Sequence, residues 1–91
     1  MLIVKPSRRF EKYVRRLKAQ KKDLNLLENI VLNLAKEKTL DKKHKNHKLK
    51  GEWKDFRECH VGPDWLLIYK INEDVFVLTL ARTGSHDELF G

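Results

Sequence analysis

Apolar residues first recur at helical spacing shortly after the start of the chain. Phe10, Tyr13, Val14 and Leu17 fall at i, i+3, i+4 and i+7, the stripe of an amphipathic helix. Ser7 stands where an N-cap is needed, and Arg8, Arg9, Lys12, Arg15, Arg16 and Lys18 lie mainly outside the stripe. Lys21 and Lys22 interrupt the pattern, and Asp23 can cap a second helix. Its apolar face is Leu24, Leu27, Val31 and Leu34, widened by Leu26 and Ile30. So short a connection predicts an antiparallel helical hairpin. Ahead of it, Leu2–Val4 is enough for a brief strand before Pro6.

The pattern changes after Thr39. Residues 39–51 are almost without apolar content and predict a basic loop, after which strand-like sequence begins at Trp53. Trp53–His60 reads as a half-polar strand, with a turn at Val61–Asp64. Trp65–Ile71 is apolar on both faces, as a central strand would be, and Asn72–Asp74 turns the chain into a third strand, Val75–Ala81. Short turns between them predict an antiparallel meander. The expected fold class is α+β: an N-terminal helical hairpin packed on one face of a small, mainly antiparallel sheet. With 91 residues and no linker or repeat, residues 1–91 form one domain.

Composition narrows the setting. The longest apolar run, Trp65–Tyr69, is far short of the ~20 residues a membrane helix needs, and Met1–Pro6 does not resemble a secretory leader. A single cysteine cannot form an internal disulfide, which fits a reducing cytoplasm. Charge is more informative. The net charge is +7, but residues 1–54 carry 17 Lys+Arg against 6 Asp+Glu, and residues 55–91 carry 3 against 7. Eight lysines crowd between Lys36 and Lys54. Such a block is either a solvated face or a docking surface for a polyanion or an acidic protein.

Several chemistries are excluded by what is missing. The chain has no Gly-rich phosphate loop, no G-x-S-x-G and no CxxC. Cys59 lies mid-strand and reads as a small core residue. A zinc site would have to draw together distant histidines without the usual cysteine pairs, so no metal and no cofactor is expected. An acid–base set is better supported. Glu58 and His60 are two apart on a strand and so share a face, Asp64 follows in the turn, Arg82 ends the last strand, and His86 comes soon after. Metal-free cleavage of RNA needs a base for the 2′-OH proton, an acid for the leaving 5′-oxygen, and a cation for the phosphorane. Histidine, with an unperturbed pKa of ~6.5, serves the first two, and arginine the third. Whether the sheet order brings Arg82 to that face is not fixed by the sequence.

Three blocks then carry a resemblance: H-K-L-K-G from His47 to Gly51, W-K-D-F-R-E-C-H-V-G-P-D-W-L-L-I-Y-K from Trp53 to Lys70, and R-T-G-S-H-D-E-L-F-G from Arg82 to Gly91. Their order and spacing resemble the YafQ branch of the RelE-type toxins, ribosome-dependent mRNA interferases of bacterial type II toxin–antitoxin pairs. The resemblance implies the RelE-like, microbial-ribonuclease-type fold. It assigns His47, His60 and Asp64 to positions needed for cleavage, Arg82 to the scissile phosphate, and His86 to the proton donor. Phe90 matches an aromatic that orients a base, and Trp65 is a second residue for stacking or, equally, for the core. Glu58 shares the face of His60, and Lys48, Lys50 and Lys54 belong to the basic loop expected to hold RNA. Which of His47, His60 and Asp64 is the base stays open.

The same resemblance implies partners. They are the ribosome at the A site of its small subunit, mRNA, and an acidic antitoxin whose own DNA-binding half reaches operator DNA. Two other functions compete: a gyrase-targeting toxin of the same fold, which would not require the histidine set, and a non-catalytic RNA-binding module.

Overall fold

The computed structural model describes residues 1–90. Five strands form one sheet: β1 (Ile3–Pro6), β2 (His47–Lys48), β3 (Arg57–Gly62), β4 (Trp65–Asn72) and β5 (Val77–Gly84). Their order is β1-β5-β4-β3-β2. β1 runs parallel to β5, and the other pairs are antiparallel. Three helices accompany them: α1 (Arg8–Ala19), α2 (Leu24–Ala35) and α3 (His86–Phe90). The expected α+β class is what the chain adopts.

Local chemistry accounts for the two long helices. The Ser7 hydroxyl accepts from the Phe10 amide at 3.0 Å, and the Asp23 carboxylate accepts from the Asn25 amide at 3.0 Å. Each satisfies one of the donors left free in a first helical turn, worth about 1 kcal/mol. The apolar stripes of α1 and α2 then cover one face of the sheet. Phe10, Leu17, Leu27, Ile30 and Leu34 are buried there with Cys59, Val61, Trp65, Leu67, Tyr69, Leu78 and Leu80. Strand alternation supplies the sheet side of this core: Cys59 and Val61 from β3, the odd-numbered residues of β4, and Leu78 and Leu80 from β5.

Several boundaries differ from expectation, and two short elements are added. Strand β3 starts at Arg57 rather than Trp53, because Gly51, with φ +67°, opens a 3₁₀ turn over Gly51–Trp53. Trp53 and Phe56 fold over the sheet instead, edge to face with ring centroids 5.2 Å apart. Strand β5 starts at Val77, two residues late, since Val75 and Phe76 belong to the turn and Phe76 has φ +56°. It also runs on to Gly84, which puts Arg82 inside a strand. The two-residue β2 and the five-residue α3 are additions that were too short for periodicity to reveal.

One irregularity sets up the site. β5 carries an extra residue, Ala81, between the pairs Tyr69↔Leu80 and Ile68↔Arg82. This bulge reverses the alternation, so Leu78 and Leu80 face the helices while Arg82 faces away. The bulge is tied off by Ser7, whose amide donates to the Leu80 carbonyl at 2.9 Å and whose hydroxyl donates to the Ala81 carbonyl at 2.7 Å.

Candidate active site

The sheet face turned away from α1 and α2 gathers most of the residues singled out from the sequence. Two rows cross it. In the first, His47 pairs with Glu58, Glu58 with Ile68, and Ile68 with Arg82. In the second, His60 pairs with Leu66 and Leu66 with Gly84. Paired residues share a face of the sheet, so His47, Glu58, His60 and Arg82 converge. Beneath them lies a small apolar floor of Leu66, Ile68 and Leu89, walled by Leu49, Trp53 and Phe56.

His86 is brought in by the β5–α3 junction. The turn between β3 and β4 lifts Asp64, whose φ is +47°. Its Oδ1 accepts two hydrogen bonds, from the His86 amide at 3.0 Å and from His86 Nδ1–H at 2.9 Å. Those hydrogen bonds hold the Asp64 carboxyl below the ordinary carboxylate range, the backbone donor having the larger effect. With Nδ1 committed to Asp64, His86 is left with Nε2 as its free ring nitrogen. The His86 ring sits 6.0 Å from the His60 ring, centroid to centroid, tilted by 58°.

The remaining histidines are held by backbone. His44 Nδ1–H donates to the His60 carbonyl at 2.7 Å, clasping the basic loop against β3. His47 Nδ1–H donates to the Lys45 carbonyl at 2.8 Å, which leaves Nε2 facing the Glu58 carboxylate 3.7 Å away. Glu58 is only 6% exposed, so its position is fixed by packing as well as by strand geometry. His60 is pushed below the ordinary histidine range, chiefly because burial disfavours its charged form. A neutral imidazole is thereby retained to lower pH, as a base working near neutrality requires.

Arg82 lies with its guanidinium carbon 4.9 Å from the centre of the Trp53 ring, a cation–π contact that orients the fork of donors. Trp53 is therefore the aromatic residue that the sequence reading missed. Its signal was the glycine two residues ahead of it, which turns the chain back over the sheet. Phe90 is 49% exposed at the end of α3. Trp65 is not at this face. It is 4% exposed in the helix-side core, where its indole N–H donates to Thr83 Oγ1 at 2.9 Å. Of the two readings the sequence left open for it, stacking on substrate or core, this burial places Trp65 in the core. Lys50 and Lys54 flank the 3₁₀ turn and are exposed, whereas Lys48 pairs with Arg57 and faces the opposite side from His47. Cys59 is fully buried, with its thiol pushed up to about 12 mainly by that burial, and takes no part in the site.

The family described as bacterial toxin of type II toxin–antitoxin system, YafQ, matches residues 2–91. The chain belongs to this family. It is 38% identical over 86 residues to the mRNA interferase toxin YafQ of Escherichia coli K12, covering 93% of this chain and 91% of that one. Crystallised YafQ from E. coli BL21(DE3) superposes with a TM-score of 0.92 at 35% identity, over the full length of both chains. A metal-bound toxin from Helicobacter pylori gives 0.94 at 49% identity, over 99% of this chain and all of that one. YafQ also matches from its complex with DinJ, with a TM-score of 0.91. Among the described residues of this toxin, no three His, Cys, Asp or Glu side chains are grouped as they would be to hold a metal ion. Among the same residues, no helix is long and apolar enough to cross a membrane.

Proposed function

We propose that this toxin is a ribosome-dependent endoribonuclease, an mRNA interferase that cuts translated mRNA by acid–base chemistry in the cytoplasm. The observation that carries the reading is the His60–His86 pair, 6.0 Å apart, with Asp64 fixing the second ring. Two imidazoles this close can both reach one phosphodiester, each acting on a different oxygen. His60 takes the proton from the 2′-OH, the 2′-oxygen forms a bond to phosphorus, and the bond from phosphorus to the 5′-oxygen breaks. His86, protonated on both nitrogens in this role, gives its Nε2 proton to the departing 5′-oxygen. The products are a 2′,3′-cyclic phosphate and a 5′-hydroxyl. Asp64, already accepting two hydrogen bonds from His86, orients the acid. Arg82 offers its donors to the charge that builds on the phosphoryl oxygens, Phe90 supplies a ring for a base, and His47 and Glu58 order the far side of the face.

The basic loop, with Lys50 and Lys54 at its edge, and the arginines of α1 supply contacts to RNA phosphates, which on the ribosome place the site over the A-site codon. The antitoxin partner is an acidic protein that covers this surface and reaches operator DNA through a domain of its own. Family membership and the DinJ complex of E. coli YafQ support that assignment.

A translation system reconstituted with purified components tests the reading. Addition of the toxin is expected to produce new mRNA 5′ ends inside codons when ribosomes are translating. Cuts that are equally frequent on free RNA would remove the ribosome from the proposal, and no cuts at all would remove the nuclease.

The pH dependence follows from the direction of the His60 shift. A base whose folded pKa is below ~6.5 is already neutral at pH 7, so kcat/KM should rise with pH on a limb centred below ~6.5. A single-turnover pH profile checks this, and a limb centred above that value would assign the base elsewhere. The same shift links to stability. Below ~6.5 the unfolded chain takes up this proton more readily than the folded one, so the His60 contribution is present above that pH and is lost on acidification.

A further inference from the structure

On the helix side of the sheet, away from the catalytic face, the end of α2, the loop after it and strands β3 and β4 enclose a cleft of about 650 Å³, in the size range of small-ligand sites. Leu34, Leu40, Tyr69 and Ile71 give it an apolar lining, and Lys38, Lys42, Lys45 and Arg57 bring positive charge to it. We infer that this cleft is a binding site for a free nucleoside monophosphate, with the phosphate on Arg57 and the base against the apolar lining.

Arg57 is held ready as the anchor. Its register partner on β4 is Tyr69, so the two side chains stand on the same face. The Tyr69 hydroxyl donates to Asn46 Oδ1 at 2.7 Å, and Arg57 Nε–H donates to the same oxygen at 3.2 Å. Tyr69 is only 1% exposed, and burial pushes its ionisation up, so the hydroxyl stays a donor and fixes Asn46 as an acceptor. The guanidinium is thereby oriented through Nε, and its two terminal nitrogens remain for an anion. Among the described residues, no carboxylate oxygen comes within 4.0 Å of Arg57 or of the three lysines. A planar fork fixed in this way and without an ion pair suits bidentate phosphate binding.

Charge limits what the cleft can take. Its four Lys and Arg side chains stand against Glu37, Asp41 and Glu73, one positive charge in excess. A phosphate monoester, at about −2 near neutrality, fits that balance, whereas a triphosphate would press its further charges on the carboxylates. The same carboxylates are acceptors for ribose hydroxyls and for the amino groups of a base, which inorganic phosphate lacks. An apolar lining covers a flat ring, and a backbone phosphodiester of a long RNA needs no such enclosure.

The test is an amide NMR titration of the full chain with AMP, GMP, CMP and UMP in turn, beside ribose phosphate and inorganic phosphate. At least one nucleotide should give saturating shifts at the Leu40, Asn46 and Tyr69 amides and bind about tenfold more tightly than ribose phosphate. Arg57→Gln should weaken that binding at least about tenfold. Lys42→Gln, at an exposed position, should weaken it about threefold and leaves the Arg57–Asn46–Tyr69 bonds in place, so it serves should Arg57→Gln fail to fold. No saturation with any nucleotide, shifts confined to the Arg82–His86 face, inorganic phosphate as tight as the nucleotides, or affinity unmoved by the variants would each overturn the site. A short single-stranded RNA that shifts these amides where the mononucleotides do not would overturn it too, by making the cleft an RNA contact. Binding is read directly, so none of these outcomes depends on the nuclease reading.

Discussion

Replacing His86 by alanine is expected to slow single-turnover cleavage on translating ribosomes about 10²- to 10⁴-fold, the usual worth of a positioned general acid. Binding to the ribosome should change little, because the ring is more than half exposed and its one hydrogen bond is to Asp64. The Asp64 carboxylate would keep the amide donor of residue 86 and lose only the ring N–H. Asp64→Asn is the informative companion. It keeps the shape of the turn but weakens the hold on Nδ1, so it should cost less than His86→Ala, and the double variant should be no worse than His86→Ala alone. Primer extension on the reaction products measures all three. A His86→Ala protein that cuts at the wild-type rate would end the role given to His86, and loss of cutting in step with loss of ribosome binding would point to a pure binding module.

The largest stability effect is expected at Trp65. Truncation to alanine empties a site 4% exposed and removes the donor to Thr83 Oγ1, at a cost of about 3–5 kcal/mol. Domains of this kind have total stabilities of about 5–15 kcal/mol, so thermal unfolding should move down by more than about 10 °C. Trp65→Leu refills much of the volume without an aromatic ring, and Thr83 keeps its bond to the Leu66 carbonyl at 2.8 Å. If Trp65 belongs to the core, Trp65→Leu assayed below its lowered Tm cleaves at close to the wild-type rate. Folded Trp65→Leu that has lost cleavage would restore a stacking role for the ring.

What the sequence determined by itself was whatever depends on near neighbours. The stripes Phe10–Leu17 and Leu24–Leu34, with Ser7 and Asp23 ahead of them, specify two capped helices, because helical periodicity and capping act within a turn or two. The apolar run Trp65–Tyr69 marks a central strand because both its faces are covered. Glu58 and His60 share a face through strand alternation alone, and the three conspicuous blocks indicate the toxin family.

The tertiary structure decided what depends on partners far along the chain. Arg82 follows Leu78 and Leu80 in steps of two, so alternation would have placed it in the core. The Ala81 bulge turns it to that face, and the bulge is satisfied by Ser7, 74 residues away along the chain. Trp53 and Trp65 are equally aromatic in the sequence, yet one carries Arg82 on the open face and the other is sealed beneath the helices, a difference set by Gly51 and by the strand register. His60 and His86 come within 6.0 Å of each other, ring to ring, only because β3 and β5 flank β4 and the Asp64 turn captures the start of α3. Such pairings are chosen by which arrangement buries the most apolar surface while satisfying every buried polar group, and that balance is struck over the whole domain.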